Sequence, residues 1–140
     1  MLGAASLMGK QVAVPDGPVM VTDTTVSQGT INLPTGADGI QLQVFNSSGI
    51  LVRSQIMGAQ KPGDVTLAWD GMTDGGQAAA NGVYRYVATV NSQGVMSKPT
   101  VNTYATVTGV TSAGTADGAM LLEVGNGKTV ALSSVKRIVN

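Results

Sequence analysis

"LAWDGMTDGGQAAANGVYRYVATV", residues 67–90, holds the only tryptophan of the chain and two of its three tyrosines. Its reading decides the fold, because Trp69, Tyr84 and Tyr86 either fill a core or form an open stacking platform. Leu67 and Trp69 flank Ala68 in alternation, and Val65 upstream continues the same side. Alternate residues of a strand share a face, so these three point inward together. In "VYRYVATV" (83–90) one register turns Tyr84, Tyr86, Ala88 and Val90 inward, whereas the other would bury Arg85 beside Thr89. An unpaired buried guanidinium is costly, so the first register is expected and Arg85 should meet solvent. Trp69 then anchors a core and Tyr84 and Tyr86 face inward. Gly71 and Gly82 permit the turns, and Asp70 belongs to the connection between two strands.

The same alternation recurs at Ile40, Leu42 and Val44 against Gln41 and Gln43. Nineteen glycines lie among valine- and threonine-rich stretches, and no window carries a clean helical period, so the chain reads as all-β. Turn signals recur at Asp16-Gly17, "PTGADG" (34–39), "NSSG" (46–49), "KPGD" (61–64), "DGG" (74–76), Asn81-Gly82, "SQG" (92–94), "ADG" (116–118) and "GNG" (125–127). That spacing suits short strands in a sandwich or small barrel.

The ends differ from the middle. Residues 8–33 offer three short strands ("KQVAV", "PVMV", "GTINL"), and residues 107–139 three more ("VTGV", "AMLLEV", "TVALSSVKRI"), neither set enough to close a core alone. The expected organisation is a small barrel built from both termini, 1–33 and 107–140, with a sandwich of 34–106 inserted in it. All five aromatic residues, Phe45, Trp69, Tyr84, Tyr86 and Tyr104, fall in the insert, which leaves the barrel to pack on Val, Ile, Leu and Met. Met1 to Ala5 reads as a small-residue linker, and the chain as a fragment of a longer protein.

Composition narrows the chemistry. The 140 residues are 43% apolar, enough for a core, and 11% charged, eight basic against eight acidic. No field therefore exists to draw nucleic acid, anionic lipid or an acidic substrate over long range. Cysteine and histidine are absent, which removes disulfides, thiol nucleophiles, imidazole bases and the usual zinc ligands, so neither metal nor cofactor is expected. The lack of cysteine fits a reducing compartment or passage through a secretion channel equally. No run approaches the ~20 apolar residues of a membrane span, and "MLGAASLMGKQV" lacks the features of a secretory signal.

The glycine-rich loop 70–81 invites two catalytic or binding readings. A calcium loop of the helix-flanked kind takes oxygen ligands at its first, third, fifth and twelfth positions, and here the third is Met72, the twelfth is Asn81 where a bidentate carboxylate belongs, and no helices flank it. Paired carboxylates for glycoside chemistry need one acid in an environment that raises its pKa, whereas Asp70 and Asp74 each sit beside glycine in a solvated loop. Both read as turn-forming aspartates. Serine nucleophiles would need a lysine base, and the one Ser-x-x-Lys spacing, Ser133 to Lys136, falls in a stretch that reads as a strand. "GNGK" (125–128) lacks the spacing of a phosphate loop and reads as a hairpin turn, and the terminal "KRIVN" as a solvated strand edge.

"WDGMTDGG" followed by "NGVYRYVATV" resembles the Trp-Asp-Gly, Asp-x-x-Gly, Gly-x-Tyr-x-Tyr/Val pattern of the flagellar hook capping protein family. "ASLMGKQVAV" (5–14) is similar to the opening of that family's globular region, and "VTGVTSAGTADGAMLLEVGNGKTVALSSVKRI" (107–138) to its close. The resemblance implies a tudor-like barrel from both ends with an inserted immunoglobulin or fibronectin type III-like sandwich. It implies a non-enzymatic scaffold at the distal tip of the growing hook, acting as a homo-oligomeric cap that helps hook protein subunits incorporate. It also implies a missing N-terminal, export-bearing segment. A methyl-lysine cage, known from other tudor-like folds, is not expected, because the terminal barrel has no aromatic residue to build one. Two readings from other classes stand beside it. One is a carbohydrate- or surface-binding sandwich with aromatics exposed on one sheet, and the other a hydrolase using Asp70 and Asp74.

Overall fold

The computed structural model describes residues 4–23, 25–112, 114, 119–124, 129–135 and 137–139. Residues 1–3 of the expected linker Met1 to Ala5 and the expected turns at 116–118 and 125–128 lie outside the described residues, and the rest of that linker opens a 3-10 turn, Ala4–Leu7. Fourteen strands run among the described residues: Gln11–Pro15 (β1), Val19–Thr22 (β2), Thr25–Val26 (β3), Gly29–Leu33 (β4), Gly39–Asn46 (β5), Leu51–Met57 (β6), Gly63–Leu67 (β7), Gly82–Ser92 (β8), Val95–Ser97 (β9), Asn102–Thr106 (β10), Gly109–Ser112 (β11), Met120–Glu123 (β12), Thr129–Ala131 (β13) and Arg137–Val139 (β14). The helical content described is two short 3-10 turns, Ala4–Leu7 and Leu132–Ser134. No described helix is long and apolar enough to cross a membrane.

The strands form three antiparallel sheets. One runs β14-β1-β10-β4-β7, a second β11-β12-β13, and a third β3-β2-β8-β5-β6 with β9 added beside β8. Alternation drives each pairing. Ile40, Leu42 and Val44 of β5 are buried, and the register sets them beside Val90, Ala88 and Tyr86 of β8. Polar Gln41 and Gln43 face outward between them, which is how a half-buried sheet satisfies both water and core.

Two cores result. The larger gathers fifteen buried residues, among them Val19, Val21, Ile31, Leu33, Leu42, Leu67, Trp69, Tyr84, Tyr86 and Val101. The smaller gathers Leu7, Val12, Val14, Ala105, Val107, Leu122 and Val124, all aliphatic. Two stretches pack otherwise than expected. Strands β2 and β4, read as part of the terminal barrel in 1–33, pair with β8 and β7 and bury Val19, Val21, Ile31 and Leu33 with Trp69. Strand β10, read as the last strand of the 34–106 insert, pairs with β1 and gives Ala105 to the smaller core. The physical reason is that alternation specifies which face of a strand is buried but not which strand lies beside it.

Candidate functional site

The 67–90 stretch forms a pinned lobe on the edge of the larger core. Trp69 is 4% exposed and meets Tyr84 edge to face, ring centroids 5.2 Å apart. Its indole N–H donates to the Met72 carbonyl at 2.8 Å, so the ring that fills the core also ties down the loop leaving it. Asp70 accepts the Met72 N–H at 2.9 Å through Oδ1, an Asx turn that Gly71 completes at φ +80°. The Ala79 N–H donates to the Gly71 carbonyl at 2.7 Å, and the Tyr84 hydroxyl donates to Ala80 at 2.7 Å, closing the lobe. Gly82 opens β8 at φ +152°, a conformation that disfavours a side chain. Tyr86 donates its hydroxyl to the Ser27 carbonyl at 2.8 Å, joining β8 to the segment before β4.

This geometry brings Trp69, Asp70, Gly71, Tyr84 and Tyr86 together as a packing unit. Burial pushes the Tyr86 phenol well above its ordinary value, opposed in part by a hydrogen bond from the Trp69 backbone. Arg85 is exposed and sits over the Phe45 ring at 5.3 Å on the opposite face of the sheet. With Trp69, Tyr84 and Tyr86 buried, this sheet offers no stacking platform made of them. The two aspartates have separate work: Asp70 caps its own turn, whereas Asp74 reaches across to β6. Its expected role as a turn former is taken by Thr73, whose carbonyl accepts the Gly76 N–H and whose hydroxyl accepts the Gln77 N–H. Among the described residues, no group of three or more acidic side chains is placed to hold a metal ion.

The surface carries what sequence reading did not single out. The hairpin between β5 and β6 exposes Ile50 (61%) and Leu51, β6 exposes Ile56 (76%), and the β8–β9 tip exposes Val95 (67%) and Met96. The signal lay in "GILV" and "GVMS", where aliphatics follow a turn glycine, but alternation alone does not say which of them finds a partner. A cleft of about 420 Å³ opens where the two cores meet, with Met20 and Val26 on one side and Tyr104, Thr106 and Val124 on the other.

Comparison with known proteins gives the site its context. Residues 17–94 match the family described as the FlgD Ig-like domain. Over 147 aligned residues the chain is 28% identical to the basal-body rod modification protein FlgD of Salmonella typhimurium, with 99% of this chain and 61% of that protein covered. The chain thus spans about six tenths of the length of the curated relatives it matches. The crystal structure of FlgD from Pseudomonas aeruginosa superposes with a TM-score of 0.83 at 26% identity, covering 97% of this chain and 100% of that one. FlgD from Xanthomonas campestris, whose structure is described as giving insights into the hook capping essential for flagellar assembly, superposes with a TM-score of 0.81 at 28% identity, covering 96% of each.

Proposed function

The chain belongs to the FlgD Ig-like domain family, and from that premise we propose that it is part of a non-enzymatic scaffold that caps the growing flagellar hook and promotes incorporation of hook protein subunits. One observation carries the proposal: the likeness to FlgD structures extends over nearly the whole chain, both cores included, and not over the sandwich alone. The working parts are two β modules. The sandwich holds the larger core, and a terminal module made of β1, β10, β14 and the three-stranded sheet holds the smaller; the tudor-like barrel is the form proposed for the latter. The scaffold acts at the distal tip of the hook as a homo-oligomer, reached by flagellar export. It uses no cofactor and performs no covalent chemistry.

A cap must hold emerging subunits through contacts that form and release repeatedly, which suits exposed apolar tips on rigid hairpins better than a deep pocket. Ile50, Val95 and Met96 are the proposed contacts with hook protein. Deleting the gene in its bacterium should abolish hooks and motility, and the wild-type gene should restore both. A gene carrying Ile50→Lys, Val95→Lys and Met96→Lys should not, although the variant protein keeps its Trp69 emission and circular dichroism. Normal hooks in the deletion strain would overturn the scaffold reading, and normal hooks with the triple variant would overturn the contact assignment.

A further inference from the structure

Among the described residues, strand β6 is the end strand of its sheet, with β5 on one side and no strand on the other. Such an edge presents unpaired N–H and C=O groups to any strand that approaches. Part of this edge is nevertheless occupied. The Asp74 N–H donates to the Val52 carbonyl at 2.9 Å, and the Ser54 N–H donates to Asp74 Oδ1 at 3.2 Å. In a parallel ladder, a residue opposite position i takes its N–H bond to the carbonyl of i−1 and its carbonyl bond from the N–H of i+1. Asp74 reproduces that pattern opposite Arg53, with its carboxylate oxygen standing where a strand's own carbonyl would be.

The neighbours hold it there. The Arg53 guanidinium lies 3.9 Å from Asp74 Oδ1 and 3.5 Å from the Thr73 carbonyl, and Gln55 Nε2 donates to the Ala68 carbonyl at 3.3 Å. Both ends of the 68–74 segment are therefore fastened to the same strand. Beyond the blocked positions, Ile56 is 76% exposed and Leu51 half-exposed.

We infer that Asp74 is an intramolecular strand mimic that latches the β6 edge closed against strand addition by a second copy of this chain. The second copy follows from the sequence of the edge. Two β6 strands paired antiparallel about Ser54 would set Arg53 against Gln55, Val52 against Ile56 and Leu51 against Met57. Apolar side chains then meet apolar ones, and no like charges oppose, which are the pairings that stabilise a two-fold β interface. Such a pairing uses the Ser54 N–H and carbonyl at its centre and the Val52 carbonyl in the next pair, and of these Asp74 already holds the Ser54 N–H and the Val52 carbonyl.

The test uses the whole 140-residue chain and reads amide exchange together with sedimentation as a function of concentration. In dilute Asp74→Ala, the Ser54 amide should exchange about five- to tenfold faster than in the wild type, the effect of losing one net hydrogen bond, while the Leu42 amide in the core stays protected. At higher concentration Asp74→Ala should form a dimer that the wild type does not. Asp74→Asn, which keeps an acceptor at Oδ1, should behave as the wild type, and Asp74→Ala with Ile56→Lys should lose the dimer, because a charge on an edge strand opposes pairing. Unchanged Ser54 exchange in Asp74→Ala would overturn the inference, as would the absence of added association or a dimer indifferent to Ile56→Lys. Loss of Leu42 protection would overturn it too, since Asp74 would then hold the fold rather than its edge.

Discussion

Tyr86 illustrates how a single buried side chain couples this fold to pH. Its phenol is held above the usual value near 10 because ionisation inside the sandwich would strand a charge away from water. A folded-state pKa above the unfolded one means that the stabilisation is complete below pH ~10 and is lost as pH climbs through and beyond that value. Wild-type stability should therefore fall above pH ~10 by up to about 1.4 kcal/mol per pH unit more than that of Tyr86→Phe. At neutral pH the order reverses, with Tyr86→Phe less stable by about 1 kcal/mol for the lost bond to Ser27. Urea unfolding of both proteins at pH 8 and pH 11 checks the crossing. Gly17 makes a second test of packing. A Cβ there would collide with Thr103 Oγ1 and lie 3.0 Å from the Val14 Cβ. Thr103 is itself buried, with a hydroxyl that lacks a partner. Gly17→Ala should cost about 1–3 kcal/mol by overpacking, and adding Thr103→Ala should recover part of that cost. A double-mutant cycle in urea reads the coupling directly.

Turns show the same dependence on local geometry. β8 and β9 are joined through Gln93 at φ +51° and Gly94 at φ +79°, both left-handed, as a two-residue hairpin of the right twist demands. Glutamine is a poor occupant of that region, where asparagine bonds locally and tolerates it. Gln93→Asn should raise stability by about 0.5–1 kcal/mol, seen as a higher thermal midpoint, whereas Gln93→Val should lower it. The hairpin was legible in the sequence because "SQG" sits between alternating segments, and β5 and β8 were legible for the same reason. Tyr84, Tyr86 and Arg85 took the faces that the cost of burying a charge assigns them. Two things were not legible. The neighbours of β2 and β4 depend on which sheet closes over Trp69, a long-range choice that no local pattern encodes. Asp74 has the composition of a turn residue, and only the approach of β6 turns its carboxylate into an edge partner.

The two cores differ in size and kind, and the sheet that runs through both joins them narrowly. Strands β10 and β4 share the pairs Asn102–Thr30 and Thr103–Gly29, with one further bond from the Tyr104 N–H to the Gln28 carbonyl. Val101 closes one core and Ala105 the other, so β10 carries one connection, and the turn between Val14 and Val19, where the Asp16 N–H donates to the Val101 carbonyl at 2.7 Å, carries the second. The larger core buries fifteen described residues, three of them aromatic, and the smaller seven, all aliphatic. Stabilisation scales with apolar area removed from water, so the smaller core should open first. Trp69, the sole tryptophan, reports the larger core alone, whereas circular dichroism sees both. Leu122 is fully buried in the smaller core, and Leu122→Ala should cost about 2–5 kcal/mol there. In a denaturant titration the dichroism should then show an early phase moved to lower denaturant, while the Trp69 emission midpoint stays in place. If both probes instead shift together in Leu122→Ala, the pairs between β10 and β4 are strong enough to make the two cores one cooperative unit. Independent motion of the modules, which the capping proposal uses, would then have to be given up.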